Sequence, residues 1–273
     1  MTNEKKAPAY SEAHRAYLRA LRRKDHFVTA MRYLLLLFCL ALWELAARVG
    51  WIDPFIGSSP SRLWAAILRL YQAGELWGHI GVTLLETVVG FIAGTLLGTL
   101  ATVFLWWSAT LNRILDPYLV ILNALPKIAL GPILIVWFGA GMKSIIVMGL
   151  LISLVVTIMS VLAGFNAITD EKQLLMRTLG ASKMQILTMV VLPASLPTIM
   201  NALKISVGMS WVGVIVGEYL VSKAGLGYLI VYGGQVFNLD LVMASIVILC
   251  LLAAIMYYGV AYLERRILSL LHI

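Results

Sequence analysis

The chain has 273 residues, 61% of them hydrophobic and 12% charged, with a formal net charge of +8 and a mean hydropathy of +0.93. A water-soluble domain cannot cover that much apolar surface, so the composition excludes a soluble enzyme or binding module and places the chain in a bilayer. Membrane topology and anionic headgroups account for the excess of Lys and Arg, so nucleic acid is not needed as a partner.

Residues 1–27 form a charged amino-terminal segment containing Lys5, Lys6, Arg15, Arg19, Arg22, Arg23 and Lys24. The leader is long and the apolar run after it has the length of a true span, so that run reads as a signal anchor and not a cleaved signal. Runs long enough to cross hydrocarbon, roughly 20 residues each, are read at 28–49, 80–107, 118–139, 143–164, 198–221 and 240–262. This predicts an all-α integral membrane protein with six spans, in a transmembrane domain of residues 28–273. Pro126 and Pro132 make the third span the least regular, and a kink or break is expected there. Gly90, Gly94 and Gly98 in the second span, and Gly213 with Gly217 in the fifth, have the small-xxx-small spacing that lets helices pack closely.

Lys and Arg in short flanks mark the cytoplasmic side of a span. Placing the amino end inside also puts Arg113, Lys172, Arg177, Lys183, Arg265 and Arg266 inside, leaving Arg48, Arg62, Arg69, Lys143 and Lys223 outside. Both termini and the 165–197 connection are therefore expected in the cytoplasm.

An ionisable side chain within a span costs roughly 2.5 to 3.5 kcal/mol on insertion scales, so Glu86, Lys127, Lys204 and Glu218 are each candidates for pairing or for a polar pathway. Lys204 and Glu218 share one helix face but lie about 21 Å apart along the axis, too far to pair directly. Lys127 and Glu218, near predicted span ends, can alternatively snorkel to the interface. Ser206, Ser210 and Trp211 in mid-span could offer hydrogen bonds to a polar solute. The candidate translocation pathway is thus Glu86, Lys204, Ser206, Ser210, Trp211 and Glu218.

Between the fourth and fifth spans lies DEKQLLMRTLGASKMQILTMVVLPASLP, Asp170 to Pro197. Asp170 with Gln173 has capping-box spacing, Gly180 can end the helix begun there, and Ser182 with Gln185 repeats the start signal. Pro193 and Pro197 are expected to stop the second helix. On the first helix Leu174, Leu175, Thr178 and Leu179 share a face opposite Gln173 and Arg177, which suits docking to a soluble partner. Alone, so short a helix is marginal in water and needs a neighbour; an interfacial helix lying on the membrane is the other reading.

No catalytic or metal site is expected. Cys39 and Cys250 fall in spans, and His14, His26, His79 and His272 have neither metal-ligand spacing nor a companion nucleophile. Residues 138–144, FGAGMKS, lack the spacing and the preceding strand of a phosphate-binding loop. If ATP drives this chain, another polypeptide must bind it.

The run LGASKMQILTMVVLPASLP, followed by GEYLVSKAGLGYLI, resembles the EAA-loop region of permease subunits of ATP-binding-cassette importers, most closely the branch of nitrate, sulfonate, taurine and bicarbonate permeases. LWELAARVG, SSPSRLW and LDPYLVILNALPKIALGPILIVWFGAG agree in order and spacing. The resemblance implies a six-span type I importer fold in the bacterial cell membrane with a cytoplasmic coupling helix. It also implies a second permease copy, usually identical, two ATPase subunits carrying ATP and Mg²⁺, and an extracytoplasmic solute-binding protein. It assigns ATPase coupling to the segment with Leu174, Leu175, Thr178, Leu179, Gly180, Ala181 and Ser182. Gly180, Ala181 and Ser182 match the family's loop, and Leu192 and Pro193 its later Leu-Pro pair.

Three departures stand out. Leu174, Leu175 and Met176 occupy the place of the name-giving Glu-Ala-Ala, with Glu171, one turn earlier, as the substitute acid. Glu86 stands where the family often has Arg, and the fourth span lacks a proline near Val156. The solute implied is small and polar, an anion of the nitrate, sulfonate or taurine kind or a pyrimidine-type vitamin precursor. An ion-coupled secondary transporter, which would carry an inverted repeat, and a membrane scaffold, which needs no polar pathway, are the alternatives.

Overall fold

The computed structural model describes residues 12–270, and the chain divides into two compact units, Met1–Leu63 and Trp64–Ile273. In the first unit, helix α1 (Glu12–Val49) runs unbroken from the charged segment into the first apolar run. The amino-terminal segment expected at 1–27 therefore has no boundary with the span; its residues 1–11 lie outside the described residues. Gly50, at φ +80°, turns the chain into the single turn α2 (Pro54–Gly57) and then α3 (Pro60–Gln72), whose residues from Trp64 onward belong to the second unit. The Trp43 indole N–H donates to the Gly57 carbonyl at 3.2 Å, and the Glu44 carboxylate accepts from the Ser61 N–H at 3.1 Å and from its hydroxyl at 3.0 Å. Glu44 thus satisfies a free N–H in the first turn of α3, where a helix N-terminus favours negative charge.

The second unit contains α4 (Leu76–Trp107), α5 (Ala109–Ala124), α6 (Gly131–Phe138), α7 (Met142–Asn166), α8 (Asp170–Thr178), α9 (Lys183–Ile186), α10 (Leu192–Val221), α11 (Leu226–Gln235) and α12 (Leu239–Leu270). Among the described residues, five helices are long and apolar enough to cross a membrane, or six if α5 and the segment through α6 count as one span bent by 91°. The bend falls in the third predicted run. Pro126 has no N–H to continue α5 and pushes Leu125 into extended backbone (φ −64°, ψ 132°), so the helix must stop there. A 3₁₀ turn, Lys127–Leu130, leads into α6, where Pro132 lies in the tolerant first turn.

The core forms where α7 packs against α4 on one side and α10 on the other. Small residues let the backbones meet: a Cβ on Gly94 would fall 2.9 Å from the Leu150 carbonyl, and one on Gly213 2.6 Å from Gly149 Cα. Thr157 and Ser206 exchange a hydrogen bond of 2.7 Å across the α7–α10 seam. Without a proline near Val156, α7 runs unbroken. Helix α11 is a ten-residue helix within a connection for which the sequence predicted no element.

The 170–197 segment differs from expectation in two places. Helix α8 starts at Asp170 itself, with Thr169 as its extended N-cap, so the Asp170–Gln173 box is out by one residue. The second helix does not stop at Pro193 or Pro197 but passes through a π turn, Leu187–Val191, directly into α10. In the π turn the Leu192 N–H reaches back five residues to Leu187. Pro193 sits where the register changes and its missing N–H is least needed.

Candidate functional site

Two clusters of polar and exposed apolar side chains stand out, one at each end of α10. The first is the α8–α9 module. Gly180 has φ +80°, a conformation glycine adopts without strain, and its N–H donates to the Arg177 carbonyl at 3.0 Å, closing α8. Ser182 and Gln185 form the predicted capping box, with Gln185 N–H to Ser182 Oγ at 3.3 Å and Ser182 N–H to Gln185 Oε1 at 2.7 Å. Three leucines lie uncovered on α8 and its C-cap, among the exposed Glu171, Lys172 and Arg177: Leu174, Leu175 and Leu179 are 60%, 61% and 74% exposed, and Thr178 beside them spends its hydroxyl on the Leu175 carbonyl. Glu171, Gln173, Leu174 and Arg177 border a cleft of about 440 Å³, so Leu174, at the edge of the leucine face, adjoins the polar side of the helix.

Met176 and Ala181 turn inward onto a core of Val161, Phe165, Ile168, Ile186, Leu187, Val191 and Ala202. A short helix is thus held by one face on α7 and α10 and leaves three leucines uncovered on another.

The second cluster fastens the start of α11. Four consecutive backbone N–H groups there have no helical partner, and side chains of α4 and α10 accept from all of them. Gly225 N–H donates to His79 Nδ1 at 3.0 Å and Leu226 N–H to Thr83 Oγ1 at 2.7 Å. Gly227 and Tyr228 N–H donate to Glu218 Oε2 at 2.5 and 3.3 Å. A Cβ on Gly225 would collide with the Glu218 carboxylate, and one on Gly227 would sit 2.8 Å from Oε2, so glycines at both positions let the acid approach the backbone. Glu218 is 1% exposed; it caps a helix and does not snorkel.

Glu86, also 1% exposed, lies within hydrogen-bonding reach of Glu218. Among the described residues no positive side chain pairs with either acid, and Glu86 Oε2 and Glu218 Oε1 have no hydrogen-bond partner. Above them His79 stacks on Tyr228 at 6.0 Å and Tyr228 on Tyr232 at 5.9 Å. These rings, with Glu75 and Lys223, line a cleft of about 580 Å³.

The remaining pathway candidates are dispersed. Lys204 pairs with both oxygens of Glu264 on α12, at 3.1 and 3.0 Å, each side chain mostly buried. Ser206 is wholly buried and hydrogen-bonds Thr157, whereas the buried Ser210 hydroxyl and Trp211 indole N–H have no hydrogen-bond partner among the described residues. Lys127 turns its ammonium back onto the Asn123 carbonyl at 2.8 Å, capping α5. The sequence reading missed His79, Thr83 and Glu264. The i, i+4 spacing of His79 and Thr83 along an apolar helix was a signal for the first two. Nothing local in the sequence points to Glu264, 60 residues from its partner.

A family model described as "binding-protein-dependent transport system inner membrane component" matches residues 90–269. A probable ABC transporter permease protein of Haemophilus influenzae is 34% identical over 228 residues, covering 83% of this chain and 92% of the relative. The taurine transport system permease protein TauC of Escherichia coli is 28% identical, covering 84% of this chain and 85% of its own. The formylaminopyrimidine transport permease protein ThiX of Halalkalibacterium halodurans is 29% identical over 86% of this chain and 93% of that one. In fold, the chain is similar to a chain of the inward-facing MetNI methionine ABC transporter, with TM-score 0.60 and 23% identity over 70% of this chain and 93% of that chain.

Proposed function

The chain belongs to the binding-protein-dependent transport system inner membrane components, and on that premise we propose that it works as one of two identical permease subunits served by two cytoplasmic ATPases and an extracytoplasmic solute-binding protein. It is a multi-pass inner-membrane protein, the permease subunit of an ABC importer and not itself an enzyme. The observation that carries the partner reading is the exposed leucine face of α8, held at a glycine hinge between two spans. ATP and Mg²⁺ are bound by the ATPases, which grip Glu171, Leu174, Leu175, Thr178 and Leu179 and move the Gly180–Ala181–Ser182 turn with them.

The Lys and Arg distribution supports cytoplasmic termini and a cytoplasmic module. Lys204 and Glu218 serve the frame, while the unpartnered Ser210 and Trp211 are the polar atoms offered to a solute. The solute is small and polar, an anion of the taurine or sulfonate kind or a pyrimidine-type precursor, as the names of the relatives suggest.

The test is gentle-detergent purification from native membranes, with ATPase and binding protein co-eluting and the binding protein screened for ligands. Gly180→Asp is then expected to abolish uptake of that ligand with membrane expression unchanged. Recovery of the chain alone after crosslinking, or full uptake by the variant, would count against the docking role.

A further inference from the structure

The C-terminus of α4 ends on carbonyls that no helical N–H reaches. The chain leaves α4 at Ser108 in extended backbone (φ −124°, ψ 103°), and the Ser108 hydroxyl is spent on the start of α5, accepting from the Leu111 N–H at 3.2 Å. One of the open carbonyls, that of Trp107, is taken by a side chain 76 positions away: Lys183 Nζ donates to it at 2.5 Å. The same ammonium lies 5.7 Å from the Trp106 ring and 5.5 Å from the Trp107 ring. Two aromatic faces and the negative end of a helix each attract a cation within such distances, so three favourable contacts converge on one charge.

The position of Lys183 in the chain gives these contacts a consequence. It is the first residue of α9, directly after the Ser182 cap that fixes that helix's start and three positions beyond the Gly180 hinge. From Lys183 the helix continues through the π turn into α10 up to Val221, so a displacement of the module passes into α10 along continuous backbone. Helix α4 has no such connection. Val103 and Trp106 of α4 do pack on the apolar core shared by the module, α7 and α10, but apolar contacts are non-directional and allow sliding. The Lys183 ammonium adds a directional bond from the module to the last carbonyl of α4.

We propose that Lys183 is a positioning residue, a strut that makes the end of α4 move with the coupling module when nucleotide binds to the partner ATPase. This rests on the ATPase-coupling reading of α8. Without the ammonium the module would still drive α10 but would slip against α4, and the α4–α7–α10 core would receive the push on one side only.

The experiment uses the purified permease–ATPase complex, with Cys39 and Cys250 replaced by Ser and spin labels introduced in pairs. One pair, Lys172→Cys with Phe104→Cys, reports the module against α4; the other, Lys172→Cys with Tyr258→Cys, reports it against α12. Distances are measured without nucleotide and with a non-hydrolysable ATP analogue and Mg²⁺. The expected result is that the α12 distance shifts with nucleotide while the α4 distance does not. Lys183→Met should release the α4 distance, giving a nucleotide-dependent shift or a broadened distribution, and Lys183→Arg should keep it fixed.

A shift of both distances in the unaltered complex, or a fixed α4 distance in Lys183→Met, overturns the strut and leaves coupling intact. Loss of the ATPase from Lys183→Met but not Lys183→Arg also overturns it, by placing Lys183 in the docking surface itself. Constancy of both distances in a complex that holds the ATPase overturns the coupling reading, and the strut with it.

Discussion

Removing the Glu218 carboxylate should open the start of α11 before anything else. The side chain is 1% exposed and accepts two backbone N–H groups, Gly227 at 2.5 Å and Tyr228 at 3.3 Å. A hydrogen bond to a charged group is worth about 1.5–3 kcal/mol, and the second contact is long, so Glu218→Ala should cost the local structure about 3–4 kcal/mol. At 1.4 kcal/mol per decade, that is roughly a hundred- to a thousandfold in the opening equilibrium. Hydrogen–deuterium exchange in detergent reads that opening amide by amide. The Gly227 and Tyr228 amides should exchange faster by about that factor. The Leu226 amide, held by Thr83 at 2.7 Å, should follow less steeply and should itself be released by Thr83→Val. Glu218→Gln keeps an acceptor oxygen and should show a much smaller effect. Wild-type protection of Gly227 and Tyr228 in Glu218→Ala would refute the assignment of Glu218 as the cap.

Glu86→Gln should leave the melting temperature unchanged or raise it, because the amide keeps a donor beside the Glu218 carboxyl and removes any like-charge repulsion between the two acids; a large drop would show that a carboxyl group is needed at that position. Lys204→Met should lower stability by about 3 kcal/mol through the stranded Glu264, and Lys204→Met with Glu264→Leu should recover most of it, a double-mutant cycle that detergent unfolding can close. Gly213→Ala puts a methyl 2.6 Å from Gly149 Cα and should cost about 1–3 kcal/mol by prying α7 from α10, with Gly208→Ala, which has open space around it, as the neutral control.

Hydropathy located every span because crossing hydrocarbon is a demand that each segment meets alone. Pro126 marked the break for the same reason, since a missing N–H acts on its own helix. Ser182 with Gln185 was legible because a capping box closes within four residues, and Gly180 because its turn does. The failures lie where the outcome depends on what comes next or on distant partners. Pro193 reads as a stop, but the π turn before it supplies a register in which it is harmless. Glu218 reads as a charge near a span end, but the fold brings Gly227 and Tyr228 to it. Lys204 reads as a candidate for pairing or for a polar pathway, and only the fold supplies Glu264 as the partner. Polar residues inside an apolar helix can be picked out from the sequence; what they bond to is a tertiary fact, and periodicity carries no information on it.

The 91° break between α5 and α6 bears on how long an unassembled copy can last. Pro126 offers no N–H to the Leu122 carbonyl, and at Leu125 and Pro126 the backbone is extended between two helical segments in the middle of an apolar stretch. Hydrocarbon does not tolerate such backbone; it persists at membrane depth only under protein or beside water. Tyr118, Ile121, Ile128, Val136 and Trp137 flank the break and are all exposed in the single chain. A solitary copy would leave that bend uncovered, and the cellular half-life of this protein is expected to rise and fall with the supply of whatever covers it.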